Sequence, residues 1–232
     1  MSDRRAELAR GLSAVHERID AACAAAGRTA AEVTLVVVTK RFPASDVDLL
    51  VELGVVDVGE NLDQEASAKL ADMAGPDRVR MHFIGRLQSN KARHVGTYAS
   101  VVHSVDRPKL LRLLSHGAAE AGRLVDTLIQ VSLDGDLERG GALIGSVPSL
   151  ADAVASTEGL RLRGVMAVAP LEADPRDAFA RLRSVGEGIR ADHPEETWIS
   201  AGMSGDLEAA VAEGATHLRV GAAILGPRPS RR

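Results

Sequence analysis

Residues 33–41 read Val-Thr-Leu-Val-Val-Val-Thr-Lys-Arg, and their centre is an uninterrupted run of apolar, mostly β-branched side chains. Such a run between polar residues is typical of a strand that is buried on both faces, as in a parallel sheet. Pro43 stops the strand, so Lys40 stands at its carboxyl end, where parallel α/β folds place their chemistry. Partial desolvation lowers the pKa of a lysine amine and makes it able to form a Schiff base. A snorkelling or ion-paired lysine is the structural alternative.

Composition limits the class of protein. The chain has 232 residues, a hydrophobic fraction of 45% and only 2% aromatic residues, so aliphatic side chains and alanine must fill its core. Its net charge of -4 argues against nucleic acid or an anionic membrane as the partner, because phosphate-rich surfaces select basic proteins. No apolar run approaches the roughly 20 residues that span a bilayer. The charged N-terminus is unlike a signal peptide and Cys23 is the single cysteine, which together predict a cytoplasmic protein.

Short apolar runs alternate with helical patterns along the chain. A helix at 4–26 comes first, and strands are predicted at 33–40, 55–59, 79–84, 100–105, 127–133, 162–168, 197–200 and 217–220. This βα order predicts an α/β fold, a single (β/α)8 TIM barrel with an extra N-terminal helix. No linker divides the chain, so one domain is predicted at 1–226, with a disordered tail at 227–232. An open doubly wound sheet is the alternative, disfavoured because no Gly-x-Gly-x-x-Gly follows the first strand.

The loops after the last two predicted strands are suited to binding an anion. Gly202-Met203-Ser204-Gly205 follows one of them, and Ser204 is predicted to cap the next helix, whose free N–H groups would bind phosphate. Gly221 and Ala222 follow the other and offer further backbone donors. An ordinary helix cap and a plain C-terminal turn are the alternatives. The last strand of a closed barrel neighbours the first, so a ligand with an aldehyde and a phosphate, such as pyridoxal 5'-phosphate, would bridge this cradle and Lys40.

Arg219 lies inside the strand predicted at 217–220, between apolar neighbours. An arginine that faces a barrel interior is unfavourable without a partner, so one interpretation turns it outward to pair with an acid such as Glu213. The other interpretation places it against the pyridine nitrogen of the cofactor. A permanent cation there keeps that nitrogen unprotonated, which makes the ring a poor electron sink and limits most pyridoxal chemistry.

Several motifs resemble those of the pyridoxal phosphate homeostasis protein family, in order along nearly the whole chain. They are Val38-Thr-Lys40, Gly59-Glu-Asn61, His82-Phe-Ile-Gly-Arg-Leu-Gln-Ser-Asn-Lys91, His103-Ser-Val-Asp106, Arg163-Gly-Val-Met166, Gly202-Met-Ser-Gly-Asp206 and Arg219-Val-Gly221. The fold of that family resembles the barrel domain of alanine racemase. The resemblance implies a protein that binds pyridoxal phosphate (PLP) and takes part in vitamin B6 homeostasis, without established catalysis.

The same resemblance assigns roles to individual residues. The implied PLP contacts are Lys40, Asn61, His82, Met203, Ser204, Gly205, Arg219, Gly221 and Ala222. Lys40 would carry PLP as an internal aldimine, and Arg219 would face the pyridine nitrogen. Ser204, Gly221 and their neighbours would hold the phosphate.

The sequence departs from the family pattern at two positions. Ala222 stands where many relatives have threonine, so one phosphate-binding hydroxyl is missing and weaker phosphate binding is expected. Arg41 stands where a threonine is frequent, and it either adds positive charge at the mouth of the pocket or points to solvent.

Two enzymatic alternatives remain open. A slow amino-acid racemase would use Lys40 as its only base, because the single tyrosine, Tyr98, precedes the strand at 100–105 and so lies at the wrong end of the barrel. A Schiff-base aldolase would use Lys40 without a cofactor. Metal catalysis is disfavoured because the seven histidines show no ligand spacing.

The sequence also leads to expectations about partners and mobility. The predicted partners are PLP and PLP-dependent apo-enzymes, with no nucleic acid and no membrane. A monomer is predicted, because no further segment is present that would complete a shared active site. The polar, glycine-rich loop at 134–141 is the candidate lid.

Overall fold

Parallel strands close into an eight-stranded barrel in the computed structural model, which describes residues 2–227. The barrel strands are β1 (Thr34–Val38), β2 (Asp57–Glu60), β3 (Arg80–Phe83), β4 (Val101–Val105) and β5 (Val125–Ser132), then β7 (Leu160–Met166), β8 (Trp198–Ser200) and β9 (His217–Val220). The two-residue strand β6 (Ala142–Leu143) pairs with β5 beside the ring. The ring closes where β9 pairs with β1 and β4 with β5, which confirms the predicted TIM barrel.

A helix follows each barrel strand, as the βα order requires. After the N-terminal helix α1 (Ser2–Ala25) come α2 (Ala44–Glu52), α3 (Asp63–Asp72), α4 (Ser89–Tyr98), α5 (Pro108–Glu120), α6 (Val147–Ala155), α7 (Pro175–Arg190), α8 (Leu207–Ala212) and α9 (Ala222–Leu225). Short 3₁₀ helices lie at Ala30–Glu32, Pro76–Arg78, Leu137–Arg139 and Ile144–Ser146. No helix within residues 2–227 is long and apolar enough to cross a membrane.

Helix α1 is the predicted addition to the barrel, and it packs beside the last βα units. Its buried face carries Leu8, Val15 and Cys23 at helical spacing. Gly11 allows the closest approach, since a Cβ there would lie 2.6 Å from the carbonyl oxygen of Ile224. The added helix therefore supports the segment that contains α9.

The strand predicted at 55–59 begins later than expected. Gly54 adopts a φ of 91° after α2, and the N–H of Val55 donates to the carbonyl oxygen of Leu50 at 3.0 Å. These bonds end the helix and use the residues that the apolar pattern assigned to the strand. Val56 is half exposed, and β2 begins at Asp57.

The barrel interior is polar toward its centre. His82, His103 and Ser200 are fully buried, and Arg219 is nearly so. Because side chains alternate along each strand, these residues share the inward face with aliphatic neighbours, while the outward face packs against the helices. Of the predicted tail, residues 228–232 lie outside the described residues, and the division into one domain and a tail stays a prediction.

Candidate functional site

A cavity of about 350 Å³ opens where the carboxyl ends of β1, β2, β3, β7, β8 and β9 meet. It is lined by Val38, Lys40, Phe42, Asn61, Ile84, Val168, Met203, Ser204, Gly205, Arg219, Gly221, Ala222 and Gly226. Every residue predicted to contact a cofactor is in this set except His82. A larger groove of about 710 Å³ lies between α1 and the segment around α9, but it contains none of the predicted residues. The smaller cavity is therefore the candidate site.

Lys40 occupies a tight turn directly after β1. The N–H of Phe42 donates to the carbonyl oxygen of Thr39 at 3.0 Å, which closes the turn around Lys40 and Arg41. Arg41 has a φ of 68°, a left-handed conformation that is unfavourable for a residue with a Cβ. Its N–H is held by the carboxylate of Glu65. The backbone after Lys40 is thus strained and is fixed from α3.

A buried charge network holds the backbone before Lys40. Lys69, on α3, donates to the carbonyl oxygen of Thr39 at 2.8 Å and also to the carboxylate of Glu60. The Thr39 hydroxyl donates to Glu60 at 2.6 Å. Burial raises the pKa of Glu60, although Lys69 and Thr39 act in the opposite direction. Sequence reasoning missed Lys69, yet its spacing from the buried Ala66 and Met73 places it on the buried face of α3.

Gly221 allows β9 and β1 to approach each other beside Lys40. A Cβ at position 221 would lie 2.8 Å from the carbonyl oxygen of Val38 and 3.2 Å from its Cβ. Helix α9 begins at the next residue, Ala222. The N–H groups of Ile224 and Leu225 donate to the carbonyl oxygen of Gly221 at 2.9 Å, whereas those of Ala222 and Ala223 have no acceptor within the helix. These donors stand at the edge of the cavity.

The loop between β8 and α8 is shaped by Gly202 and Asp206. Gly202 has a φ of 89°, which suits glycine, and the N–H of Met203 donates to Oδ1 of Asp206 at 2.6 Å. Asp206 is the N-cap residue of α8. The prediction that Ser204 caps this helix is therefore wrong, because the helix begins two residues later than that prediction requires. Ser204 nevertheless lines the cavity.

Arg219 points into the barrel. It is 5% exposed, and it donates to Oγ of Ser200 at 2.6 Å and to the carbonyl oxygen of Ala167 at 2.9 Å. The alternative that turned it outward to Glu213 is wrong, since Glu213 pairs instead with Arg176 at 3.0 Å. Burial lowers the pKa of Arg219 to about 10, so its guanidinium is still charged at neutral pH.

Asn61 follows β2 and brings an unsatisfied acceptor to the cavity. Its Oδ1 is buried and has no hydrogen-bond partner among residues 2–227. The loop after β3 fixes its backbone, because a Cβ at Gly85 would lie 2.0 Å from the carbonyl oxygen of Asn61. A buried polar atom without a partner is unusual in a folded protein and is common at binding sites.

His82 is not brought to the cavity. Its ring is fully buried in the barrel interior, with Nδ1 2.8 Å from Nε2 of His103 and Nε2 2.8 Å from Oδ1 of Asp57. His103 in turn contacts Ser200, the partner of Arg219. Sequence reasoning placed Ser200 at a strand end without linking it to these histidines, and it gave Asp57 no role. A polar side chain inside a buried strand must find a partner, and this is the signal that would have linked them.

The loop at 134–141 lies beside the loop after β3. It contains the 3₁₀ helix Leu137–Arg139, and the carbonyl oxygen of Glu138 accepts from Arg86 at 2.7 Å. In the described part of the chain none of its residues lines the cavity. Its role as a lid stays a prediction.

Comparison with known proteins gives first the class of the barrel. The family model of the alanine racemase N-terminal domain matches residues 12–229. The structure is therefore a barrel of the alanine racemase N-terminal class.

Curated relatives give the family within that class. The pyridoxal phosphate homeostasis protein of Mycobacterium tuberculosis is 42% identical, covering 99% of this chain and 96% of the relative. The protein of the same name from Corynebacterium glutamicum is 43% identical, covering 91% of this chain and 98% of the relative. The chain belongs to the pyridoxal phosphate homeostasis protein family, as the motifs predict.

A solved structure extends the comparison to three dimensions. PipY of Synechococcus elongatus, solved with PLP bound, superposes with a TM-score of 0.82 at 31% identity. The match covers 94% of this chain and 100% of PipY.

Proposed function

We propose that this chain binds PLP in the candidate cavity, holds it covalently through Lys40, and serves vitamin B6 homeostasis in the cell rather than catalysing a reaction. The observation that carries the proposal is the convergence of Lys40, Arg219 and two glycine-containing loops on one cavity of about 350 Å³. The name of the curated relatives and the PLP in PipY support it.

The residues around the cavity fit a phosphorylated aldehyde. Gly221 keeps the space beside β1 free of a Cβ, and the first turn of α9 supplies backbone donors for an anion. Asn61 contributes the unsatisfied Oδ1. Lys40 contributes the amine, which attacks the aldehyde carbon; a C=N bond forms, and the carbonyl oxygen leaves as water.

Arg219 is the residue that, in this proposal, disfavours turnover. When bound, PLP supplies an aldehyde and an aromatic ring that stabilises carbanions if its nitrogen is protonated. Arg219 is a cation on the floor of the cavity and has no acceptor atom, so it can donate a hydrogen bond to the unprotonated ring nitrogen but cannot accept one from the protonated nitrogen. The unprotonated ring is then a weak electron sink, and formation of a carbanion at a substrate carbon is disfavoured.

A racemase would also need a second base. The single tyrosine, Tyr98, donates to Oδ1 of Asp63 at 3.3 Å and does not line the cavity. Burial and the charge of Asp63 raise the pKa of its hydroxyl, which keeps the hydroxyl protonated at neutral pH and unable to act as a base. These contacts favour a binding protein.

The test is an absorbance spectrum of the purified protein with added PLP, before and after borohydride. The expected visible band is abolished by borohydride and absent in Lys40→Ala, while Lys109→Ala, which removes an exposed lysine, keeps it. Peptide mapping after reduction should place the cofactor mass on Lys40 and not on Lys69, Lys91 or Lys109. A protein without such a band contradicts the proposal and favours a Schiff-base aldolase. Turnover of an added free amino acid would favour the slow racemase.

We further propose a cytoplasmic monomer that passes PLP to apo-enzymes. Light scattering coupled to size-exclusion chromatography should give a mass near the 24.4 kDa of the chain. Loaded protein should restore an apo-enzyme's activity faster than the same amount of PLP that has been premixed with an excess of a competing amine. Equal rates of restoration would contradict delivery.

A further inference from the structure

A continuous row of hydrogen bonds crosses the barrel interior below the cavity. It runs from Nη1 of Arg219 to Oγ of Ser200 at 2.6 Å, and from Oγ of Ser200 to Nδ1 of His103 at 2.9 Å. It continues from Nε2 of His103 to Nδ1 of His82 at 2.8 Å, and from Nε2 of His82 to Oδ1 of Asp57 at 2.8 Å. The five side chains come from five strands, β9, β8, β4, β3 and β2. We call this row the Arg219–Asp57 chain.

The two ends of the Arg219–Asp57 chain lie near opposite mouths of the barrel. Arg219 is the third residue of β9 and lines the cavity at the carboxyl ends. Asp57 is the first residue of β2, at the amino ends, where it also pairs with Nε of Arg80 at 3.0 Å. The chain thus connects the candidate site to the far side of the molecule.

The chemistry of the end groups, together with neutral imidazoles, fixes the direction of every bond. A guanidinium only donates and a carboxylate only accepts, so Asp57 must receive a proton from Nε2 of His82. If both imidazoles are neutral, Nδ1 of His82 is an acceptor and takes its bond from Nε2–H of His103. Nδ1 of His103 is then an acceptor as well, and it takes the hydroxyl proton of Ser200. The oxygen of Ser200 is left to accept from Arg219.

The environment favours this neutral arrangement. Burial lowers the pKa of His82, despite its bond to Asp57. Burial also lowers the pKa of His103, and the charges of Arg219 and Arg80 act in the same direction. Burial opposes ionisation of Asp57, but the N–H of His82 and the charge of Arg80 outweigh it and lower its pKa. Each bond therefore has its donor on the Arg219 side.

We propose that Asp57, His82 and His103 are positioning residues for Arg219, because their one-directional hydrogen bonds keep the Ser200 oxygen available as its acceptor. No carboxylate among residues 2–227 lies within ion-pair distance of Arg219, although the charge of Asp206 acts to raise its pKa, so the chain is a second electrostatic link from Arg219 to a negative charge. This inference rests on the proposed function in so far as Arg219 faces the PLP ring. It gives His82 a role through Arg219 in place of a direct contact.

The first test needs no cofactor and no variant. Side-chain ¹⁵N NMR of histidine in the unliganded full-length protein at pH 7 should show His82 and His103 as neutral Nε2–H tautomers. Two N–H protons on either ring, or an Nδ1–H tautomer, would reverse the bond to Ser200 and overturn the proposal. Because PLP is not involved, this result is independent of the proposed function.

The second test uses the absorbance of the PLP-loaded protein. Asp57→Ala should change the ratio of the cofactor bands and lower PLP affinity about fivefold, which is the size of one lost hydrogen bond. Asp57→Asn keeps an acceptor oxygen for His82 and should restore both readouts. Asp126→Ala is the matched control for charge, since Asp126 pairs with Arg161 at 2.5 Å on β5 and its charge acts on His82, but it makes no hydrogen bond to the Arg219–Asp57 chain.

The outcomes separate the two proposals. If the wild type binds no PLP while its histidines show the expected tautomers, the proposed function fails and the directed chain stands. If the wild type binds PLP but Asp57→Ala matches it in band ratio and affinity, the positioning role is refuted. If Asp126→Ala has the same effect as Asp57→Ala, the effect is a general one of the barrel mouth, and the positioning role is again refuted.

Discussion

The ammonium of Lys69 donates a hydrogen bond of 2.8 Å to the carbonyl oxygen of Thr39, the residue before Lys40. The same ammonium contacts the buried carboxylate of Glu60 at the end of β2. A cation from α3 therefore ties together two strand ends that border the cavity. The position of Lys40 depends on this contact as well as on its own strand.

The first prediction concerns Lys69→Met. Removing the ammonium leaves Glu60 as a buried charge without its cation, which should lower the free energy of unfolding by about 3–5 kcal/mol. Urea denaturation at neutral pH measures the change. Adding Glu60→Gln removes the unpaired charge and should recover a large part of the loss. If the free energy of unfolding of Lys69→Met alone lies within about 1 kcal/mol of the wild-type value, the network does not stabilise the fold.

The second prediction concerns the left-handed residue Arg41, whose φ is 68°. Glycine has no Cβ to clash in this conformation, so Arg41→Gly should be more stable than Arg41→Ala by about 1 kcal/mol. Urea midpoints of the pair measure the difference. Arg112, in the middle of α5, provides the opposite control, because glycine there should be less stable than alanine by a similar amount. If Arg41→Ala is as stable as Arg41→Gly, the backbone at position 41 is not strained.

The third prediction concerns Ala222, the first residue of α9, which is exposed at the edge of the cavity. Ala222→Thr adds a hydroxyl next to the proposed phosphate position, and one hydrogen bond to a charged group should raise PLP affinity about tenfold. Ala222→Val has nearly the same shape without the hydroxyl and should not. Fluorescence titration with PLP, and with pyridoxal as the ligand that lacks phosphate, measures both. Equal gains for pyridoxal and PLP would place the phosphate elsewhere.

The fourth prediction concerns acid stability and His217. This ring is buried against Trp198, its Nε2 has no partner among residues 2–227, and burial lowers its pKa to about 3. In the unfolded chain the imidazole of His217 binds a proton below about pH 6.5, whereas in the folded chain it binds one only below about pH 3. Stability is therefore lost as the pH falls from about 6.5 to about 3.

The measurement is the free energy of unfolding at pH 7 and pH 4.5. His217→Phe removes the group, so between these pH values it should lose about 2–3 kcal/mol less than the wild type. The variant His116→Ala, at an exposed position, should lose as much as the wild type. If His217→Phe follows the wild type over this range, the acid sensitivity comes from other groups.

Much of the fold follows from local pattern. The apolar run before Lys40 and the repeated βα order predict the barrel, and the barrel is confirmed. Some strand boundaries differ from the prediction, as at Val55. Its apolar side chain suggested a strand, but its backbone N–H donates to Leu50 and ends α2. Backbone hydrogen bonds of this kind leave no trace in the pattern of side chains.

The candidate site was predictable where its residues stand at strand ends. Lys40, Asn61, Ser204 and Gly221 each follow a buried strand, and the carboxyl ends of parallel strands meet at one mouth of a barrel. Their roles toward PLP remain predictions. The N-cap of α8 could not be placed in this way. The helix begins two residues later than a cap at Ser204 requires, so its N-cap residue is Asp206.

The sequence by itself determined the order of the strands, the family and the residues at the carboxyl ends, since each depends on neighbours along the chain. Only the tertiary structure decided that Lys69 supports Thr39 and that His82 and His103, 21 residues apart, share a hydrogen bond below Arg219. Those contacts depend on the register between strands and on the inward or outward face of each residue. Both are set when the ring closes, because closure fixes how far each strand is displaced along its neighbour.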